Sequence, residues 1–97
     1  MIEAGDIHLA DLNEERRRQV LVVSNLRFNR LSGRVLVAPE ILGGADVVPF
    51  PWRVEVAEAV FAVDLLRGLP ADRLRERTGR APGPAMDAVR RALINIT

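Results

Sequence analysis

Three consecutive arginines, Arg16-Arg17-Arg18, stand one residue before a branched apolar run, Val20-Leu21-Val22-Val23, and Ser24 and Asn25 follow that run at once. The apolar run has the length of a core strand, so Arg18 is held at one end of it and the polar pair at the other. A guanidinium fixed at a sheet edge is suited to a phosphate, because it offers a planar fork of donors and stays charged at any working pH. The plainer alternative is a solvated charge run in front of an ordinary strand.

The charge distribution supports a localised partner. All fourteen basic residues are arginine, and six of them (Arg16, Arg17, Arg18, Arg27, Arg30 and Arg34) lie between Glu15 and Glu40 with no acid among them. The net charge is only +1. A positive patch on a near-neutral chain fits a phosphate-bearing or acidic partner met at one face, not indiscriminate coating of nucleic acid. An arginine-for-lysine bias throughout the chain is the competing explanation.

These residues need a scaffold, and 97 residues with 48% hydrophobic content allow one domain, residues 1–97, with a modest core. A core of that size gains from a second copy, so a homodimer is expected. No apolar run is long enough to cross a membrane. Glu3 and Asp6 occupy the positions where a signal peptide needs positive charge, and a cytoplasmic protein is the expectation. With no cysteine and one histidine, neither a disulfide nor a protein-built zinc site is available, and no cofactor is expected.

In chain order, Gly5 to Leu12 reads as a strand with Ile7 and Leu9 on one face and His8 and Ala10 on the other. Asn13-Glu14-Glu15 makes a short turn, and Gln19 to Asn25 forms the second strand. Asn29-Arg30-Leu31-Ser32-Gly33 reads as a loop in which Gly33 can take a positive φ. Arg34 to Ala38 is a third strand that Pro39 stops. Gly43 to Asp46 is a flexible loop, Trp52 to Val56 alternates as a half-buried antiparallel strand, and Ala59 to Leu66 is a fifth strand. Pro70 to Arg77 reads as a short surface helix whose arginines pair with Asp72 and Glu76. From Pro84, Met86, Val89, Leu93 and Ile96 recur at helical spacing. The sum is an α+β domain on a mostly antiparallel, curled sheet.

Gly5-Asp6-Ile7, then Arg18 with Val20-Leu21-Val22-Val23-Ser24-Asn25, then Phe28-Asn29-Arg30-Leu31-Ser32-Gly33 resemble the successive motifs of the MazF/PemK family of toxin endoribonucleases. Val48-Pro49-Phe50-Pro51, Val63-Asp64-Leu65-Leu66-Arg67 and the helix from Pro84 to Ile96 continue the resemblance, which spans the chain. It implies a small SH3-like β-barrel with a C-terminal helix (the MazF/CcdB-like fold), assembled as a dimer. It also implies metal-independent cleavage of single-stranded RNA and a cognate, acidic antitoxin that blocks the RNA groove. The position matching the family's active-site arginine is Arg18, where a cation stabilises the phosphorane formed by 2′-hydroxyl attack.

The other site candidates follow from that implied chemistry. His8 is the candidate general base, and Ser24, or Ser32, a candidate hydroxyl. Arg16, Arg17, Asn25, Arg27, Asn29 and Arg30 are the expected RNA contacts, with a loop-capping role open for Asn29. Trp52 and Phe50 either stack on bases or fill the core or dimer interface. Arg67 is explained equally by a pair with Asp64, and Glu40 with Asp46 makes no catalytic carboxylate pair. Three departures from the family pattern matter: Gln19 replaces a proline after the arginine, Ile41 stands where the family's third strand has a phosphate-contacting threonine, and the first loop is short. Without that hydroxyl, two alternatives stay open: a same-fold toxin acting by binding, as CcdB-like gyrase inhibitors do, and an inactive antitoxin-binding module.

Overall fold

The computed structural model describes residues 1–42 and 51–97. The Gly43–Asp46 loop, the Val48–Phe50 part of the motif, and with them Phe50 and Asp46, lie outside the described residues. Strands β1 (Asp6–Ala10), β2 (Arg18–Val22), β3 (Arg34–Pro39), β6 (Arg67–Pro70) and β7 (Leu74–Arg80) form a five-stranded sheet in the order β6-β3-β2-β1-β7. Every neighbouring pair is antiparallel. Strands β4 (Arg53–Val56) and β5 (Ala59–Ala62) form a separate hairpin, helix α1 (Leu26–Ser32) follows β2, and helix α2 (Gly83–Ile96) closes the chain.

The central strands are buried on both faces, which is why their sequences run apolar instead of alternating. On one face Ile7, Leu21 and Ala38 meet Val54 and Phe61 of the hairpin and Met86, Val89 and Ala92 of α2. On the other, Ala10, Val20, Val22, Val35 and Val37 pack with Leu12 and Leu69. Leu69 of one edge strand and Leu74 of the other edge both join that second cluster, so the sheet curls around it. The edges do not pair with each other, and the expected barrel is a curled, open sheet plus a hairpin. The α+β class, with a mostly antiparallel sheet and a C-terminal helix, stands.

Local readings differ in three places. The segment expected as a loop over Asn29–Gly33 is mostly helix α1: Asn25 Oδ1 accepts the Phe28 N–H at 2.8 Å as an N-cap, and Gly33 ends the helix with the expected positive φ of 68°. The expected surface helix over Pro70–Arg77 is instead the end of β6, a single 3₁₀ turn at Ala71–Arg73, and β7. Here β1 has a second edge whose N–H and C=O groups need partners, and β7 supplies them, which outweighs local propensity. Accordingly Arg77 and Arg80 reach the buried Asp6, at 3.6 and 2.7 Å, and Arg73 and Arg75 approach Asp11, in place of Asp72 and Glu76. The fifth strand stops at Ala62, and the 3₁₀ turn Val63–Leu65 aims Asp64 at Arg53, at 2.8 and 3.1 Å, so Asp64 is taken and is not paired with Arg67.

Candidate active site

The turn between β1 and β2 is short but tied down. Asp11 accepts the Asn13 N–H at 3.0 Å, Asn13 takes φ 63°, and Arg73 donates to the Asn13 side chain at 2.7 Å. That backbone N–H, assisted by Arg73, Arg75 and Arg17 and opposed by desolvation, holds the Asp11 carboxyl below its ordinary range. The turn then delivers Glu14 to Arg17 to the start of β2, where Arg18 pairs with Ala10.

Arg18 is mostly buried, with a side chain 21% exposed, and Nη2 donates to Glu14 at 2.6 Å. The pair is half in solvent and adds little stability, but it fixes one edge of the guanidinium. Arg18 Nε is buried with no hydrogen-bond partner among the described residues. The guanidinium lines a cleft of about 500 Å³ shared with Glu14, Glu15, Arg16, Arg17 and Leu42. Leu42 arrives there because β3 continues past Pro39: Glu40 N–H donates to Gln19 at 3.0 Å and Ile41 N–H to Val60 at 2.8 Å. The chain therefore crosses from the sheet to the hairpin at Ile41. Neither Glu14 nor Leu42 had a local signal: a four-residue spacing pairs side chains on a helix, and Glu14 to Arg18 is a turn that runs into a strand.

His8 lies on the same face of the sheet as Arg18, opposite Val20 and one pair from Ala10–Arg18. Its Nδ1 donates to the Arg75 carbonyl at 2.8 Å, and its Nε2 is buried with no hydrogen-bond partner among the described residues. It does not line the Arg18 cleft.

The remaining candidates sit at the far end of β2. Ser24 is six residues from Arg18, roughly 20 Å at the rise of an extended chain. Its hydroxyl is buried, donates to Asn29 Oδ1 and accepts the Leu36 N–H at 2.9 Å. Asn29 Nδ2 donates to the carbonyls of Ile2 at 2.9 Å and Ser24 at 3.2 Å, and Asn25 caps α1. Ser24 and Asn29 are thus committed to fixing α1 on the sheet, Asn25 is exposed and uses its Oδ1 to cap α1, and Ser32 is bonded within its own turn. Arg27 and Arg30 line a second cleft, of about 440 Å³, with Leu26 and Leu31. The arginine run, continuous in sequence, is split by β2 into two patches. Trp52 is half-buried against the core that holds Phe61, and Arg67 is exposed on β6.

Asn29 makes a stability prediction. Asn29→Ala removes two donors and leaves the buried Ser24 hydroxyl without its acceptor, which should lower the unfolding free energy by about 1–3 kcal/mol. Urea titration followed by circular dichroism measures it, and an unchanged midpoint would refute the structural role.

Residues 3–97 match the family model of PemK-like, MazF-like toxins of type II toxin-antitoxin systems. The chain belongs to this family. Solved structures agree with the fold. An endoribonuclease from a mycobacterial species, in complex with its cognate antitoxin, is 19% identical with a TM-score of 0.83, covering 98% of this chain and 93% of that one. The Mycobacterium tuberculosis toxin MazF-mt6 is 23% identical with a TM-score of 0.78, covering 93% of each chain. MazF in a MazE–MazF structure from Deinococcus radiodurans is 26% identical with a TM-score of 0.76, covering 98% and 94%. No curated protein matches the sequence.

Proposed function

We propose that this MazF-like protein is the toxin of a type II toxin-antitoxin pair and cleaves single-stranded RNA in the cytoplasm without a metal ion. The observation that carries the reading is the Arg18 guanidinium, clamped on one edge by Glu14 and open into an arginine-lined cleft of about 500 Å³. In the reaction a ribose 2′-oxygen attacks phosphorus, the bond to the 5′-oxygen breaks, and the products are a 2′,3′-cyclic phosphate and a 5′-hydroxyl. Arg18 offsets the charge that gathers on the phosphorane oxygens, a role an always-protonated fork performs well. Glu14, hydrogen-bonded to Arg18 in the cleft, is placed to take the 2′-hydroxyl proton, and the departing 5′-oxygen takes one proton up from that carboxyl or from solvent; His8 does not line this cleft and is not placed to exchange a proton there. The test is cleavage of a long single-stranded RNA in chelator, with end analysis of the products. Intact RNA under those conditions overturns the reading.

Ile41 favours a second reading. With no hydroxyl at that position, a toxin acting by binding, in the manner of CcdB-like gyrase inhibitors, or an inactive antitoxin-binding module follows. Inhibition of supercoiling without RNA cleavage selects the former, and silence in both assays with tight antitoxin binding the latter.

The expected assembly is a homodimer, supported by exposed apolar side chains such as Leu31 and Ile94, and its antitoxin presents an acidic segment to the arginine patches. Because Arg16–Arg18 and Arg27–Arg30 face separate clefts, one segment engages them as two contacts and not as one continuous strip. Affinity should weaken about tenfold as salt rises from about 0.1 M to about 0.5 M, since exposed charge pairs are screened within a Debye length of about 10 Å or less. Titration calorimetry measures it, and a salt-independent complex would point to apolar docking.

A further inference from the structure

The largest described cleft, about 720 Å³, lies on the face of the sheet opposite to Arg18. Side chains alternate along β2, so Arg18 and Val20 turn to one face and Gln19 and Leu21 to the other. The cleft opens between that second face, at the start of β2 and along β7, and the turn of the hairpin from Val56 to Ala59. Its apolar walls are Ile7 and Phe61 of the core and Val56 of the hairpin. Its polar end is a hydrogen-bonded chain: Thr78 Oγ1 donates to Gln19 Oε1 at 2.9 Å, and the Gln19 amide donates to Glu40 Oε2 at 3.5 Å. Thr78 reaches this face because it is the extra residue of β7 between the pairs Ile7–Gly79 and His8–Arg77, and a bulge re-aims a side chain.

The charge of this cleft sets it apart from the arginine patches. Among the described residues Glu40 is the one buried or half-buried carboxylate with no ion pair; Glu3, Asp6 and Asp11 each face an arginine. Its backbone is pinned by the N–H donated to the Gln19 carbonyl at 3.0 Å and by the bridge to Phe61. Its Oε2 accepts the one long bond from Gln19, and its Oε1 accepts none among the described residues. A carboxylate set against apolar walls has lost water without gaining a counter-charge, a condition that a cation relieves. Glu58 adds a second, exposed negative charge at the rim. Arg80 also borders the cleft, but it follows Gly79 in the strand and turns its guanidinium to the other face, where Asp6 and Glu3 hold it at 2.7 and 2.9 Å. The cleft therefore repels phosphate and acidic segments and attracts a cation with an apolar stem.

We infer that this cleft docks an arginine-bearing segment of a partner protein, with the guanidinium on the Glu40 carboxylate and a neighbouring apolar side chain against Ile7 and Val56. Arginine fits both parts of the site: its planar fork matches a carboxylate, and its methylene stem lies along apolar surface while the charged head stays at the polar end. A volume of about 720 Å³ holds more than one side chain, which favours a peptide segment over a small cation. Gln19 holds one oxygen of Glu40 and so positions it for the incoming fork. The segment is opposite in charge to the acidic one proposed for the arginine patches, and the inference stands apart from the nuclease reading.

The test titrates the full chain, labelled for nuclear magnetic resonance, with the capped tripeptide Leu-Arg-Leu and with the same peptide carrying citrulline, the neutral isostere of arginine. The arginine peptide should shift the amide signals of Gln19, Glu40 and Gly79 and bind about tenfold more tightly than the citrulline peptide, the usual gain from a hydrogen bond to a charged group. Glu40→Gln, confirmed as folded by circular dichroism, should bring the arginine peptide down to the citrulline level and leave the citrulline peptide unchanged. Ala-Arg-Ala should bind more weakly than Leu-Arg-Leu, because it leaves the apolar walls uncovered. Equal affinity for the arginine and citrulline peptides overturns the site, and that comparison needs no variant. Shifts centred on Glu14 and Glu15 in place of Glu40 overturn it too. Displacement of the peptide by an equal concentration of spermidine overturns the protein segment in favour of a small polyamine. A wild-type dimer that becomes monomeric in Glu40→Gln, measured by light scattering, overturns the partner in favour of a second copy of this chain.

Discussion

Arg18→Ala is expected to slow cleavage of single-stranded RNA by about 10²–10³-fold, the usual cost of removing one preorganised donor from a developing oxyanion. The fold should survive, because the side chain keeps a 21% exposed position at a strand end and its one ion pair among the described residues, to Glu14, is half in solvent. Arg18→Lys should recover only part of the rate, since an ammonium has no planar fork and cannot present Nε to one oxygen while Nη2 stays on Glu14. Ile41→Thr restores the hydroxyl that the family resemblance places by the phosphate, on a backbone held by the N–H donated to Val60, and a faster enzyme is the expected result. Equal rates for wild type and Arg18→Ala would remove the chemistry from this cleft. Failure of all four proteins to cut RNA, with each folded by circular dichroism, would transfer the argument to the binding-toxin reading.

Phe61→Ala carries the largest expected effect on stability. Phe61 is completely buried on β5, opposite Val54, and it packs the hairpin onto the face of the sheet that α2 also covers. Truncating a buried phenylalanine removes its transfer free energy and leaves a cavity, at a cost of about 3–5 kcal/mol. A small domain has about 5–15 kcal/mol in total, so the variant should unfold at markedly lower urea. Phe61→Leu, which keeps most of the volume, should cost less than about half as much. The consequence reaches function, because Phe61 also bridges Glu40, and a loosened hairpin frees the crossing segment that carries Glu40 to Leu42. A midpoint for Phe61→Ala within experimental error of wild type would show that the hairpin is not part of the cooperative core.

The sequence by itself determined the central strands, the closing helix and the family. Val20–Val23 and Val35–Ala38 are too apolar and too short to be anything but core strands, Met86 and Val89 repeat at helical spacing, and the order of motifs around Arg18 carries the family. Short-range patterns encode these features, so they can be read without coordinates. What only the tertiary structure decided depends on pairing between distant residues. Leu74 to Arg80 has helix-compatible composition but becomes β7, because the free edge of β1 needs hydrogen-bond partners. Asn29 and Ser24 look like exposed contact residues, yet both are buried and α1 docks on the sheet through their polar groups. The run of arginines is one patch in sequence and two in space, since an extended strand separates its ends by more than the reach of a side chain. Gln19, Glu40 and Thr78, 21 and 59 residues apart along the chain from Gln19, form one polar end of one cleft solely because β2 lies between β3 and β1, and β1 beside a bulged β7.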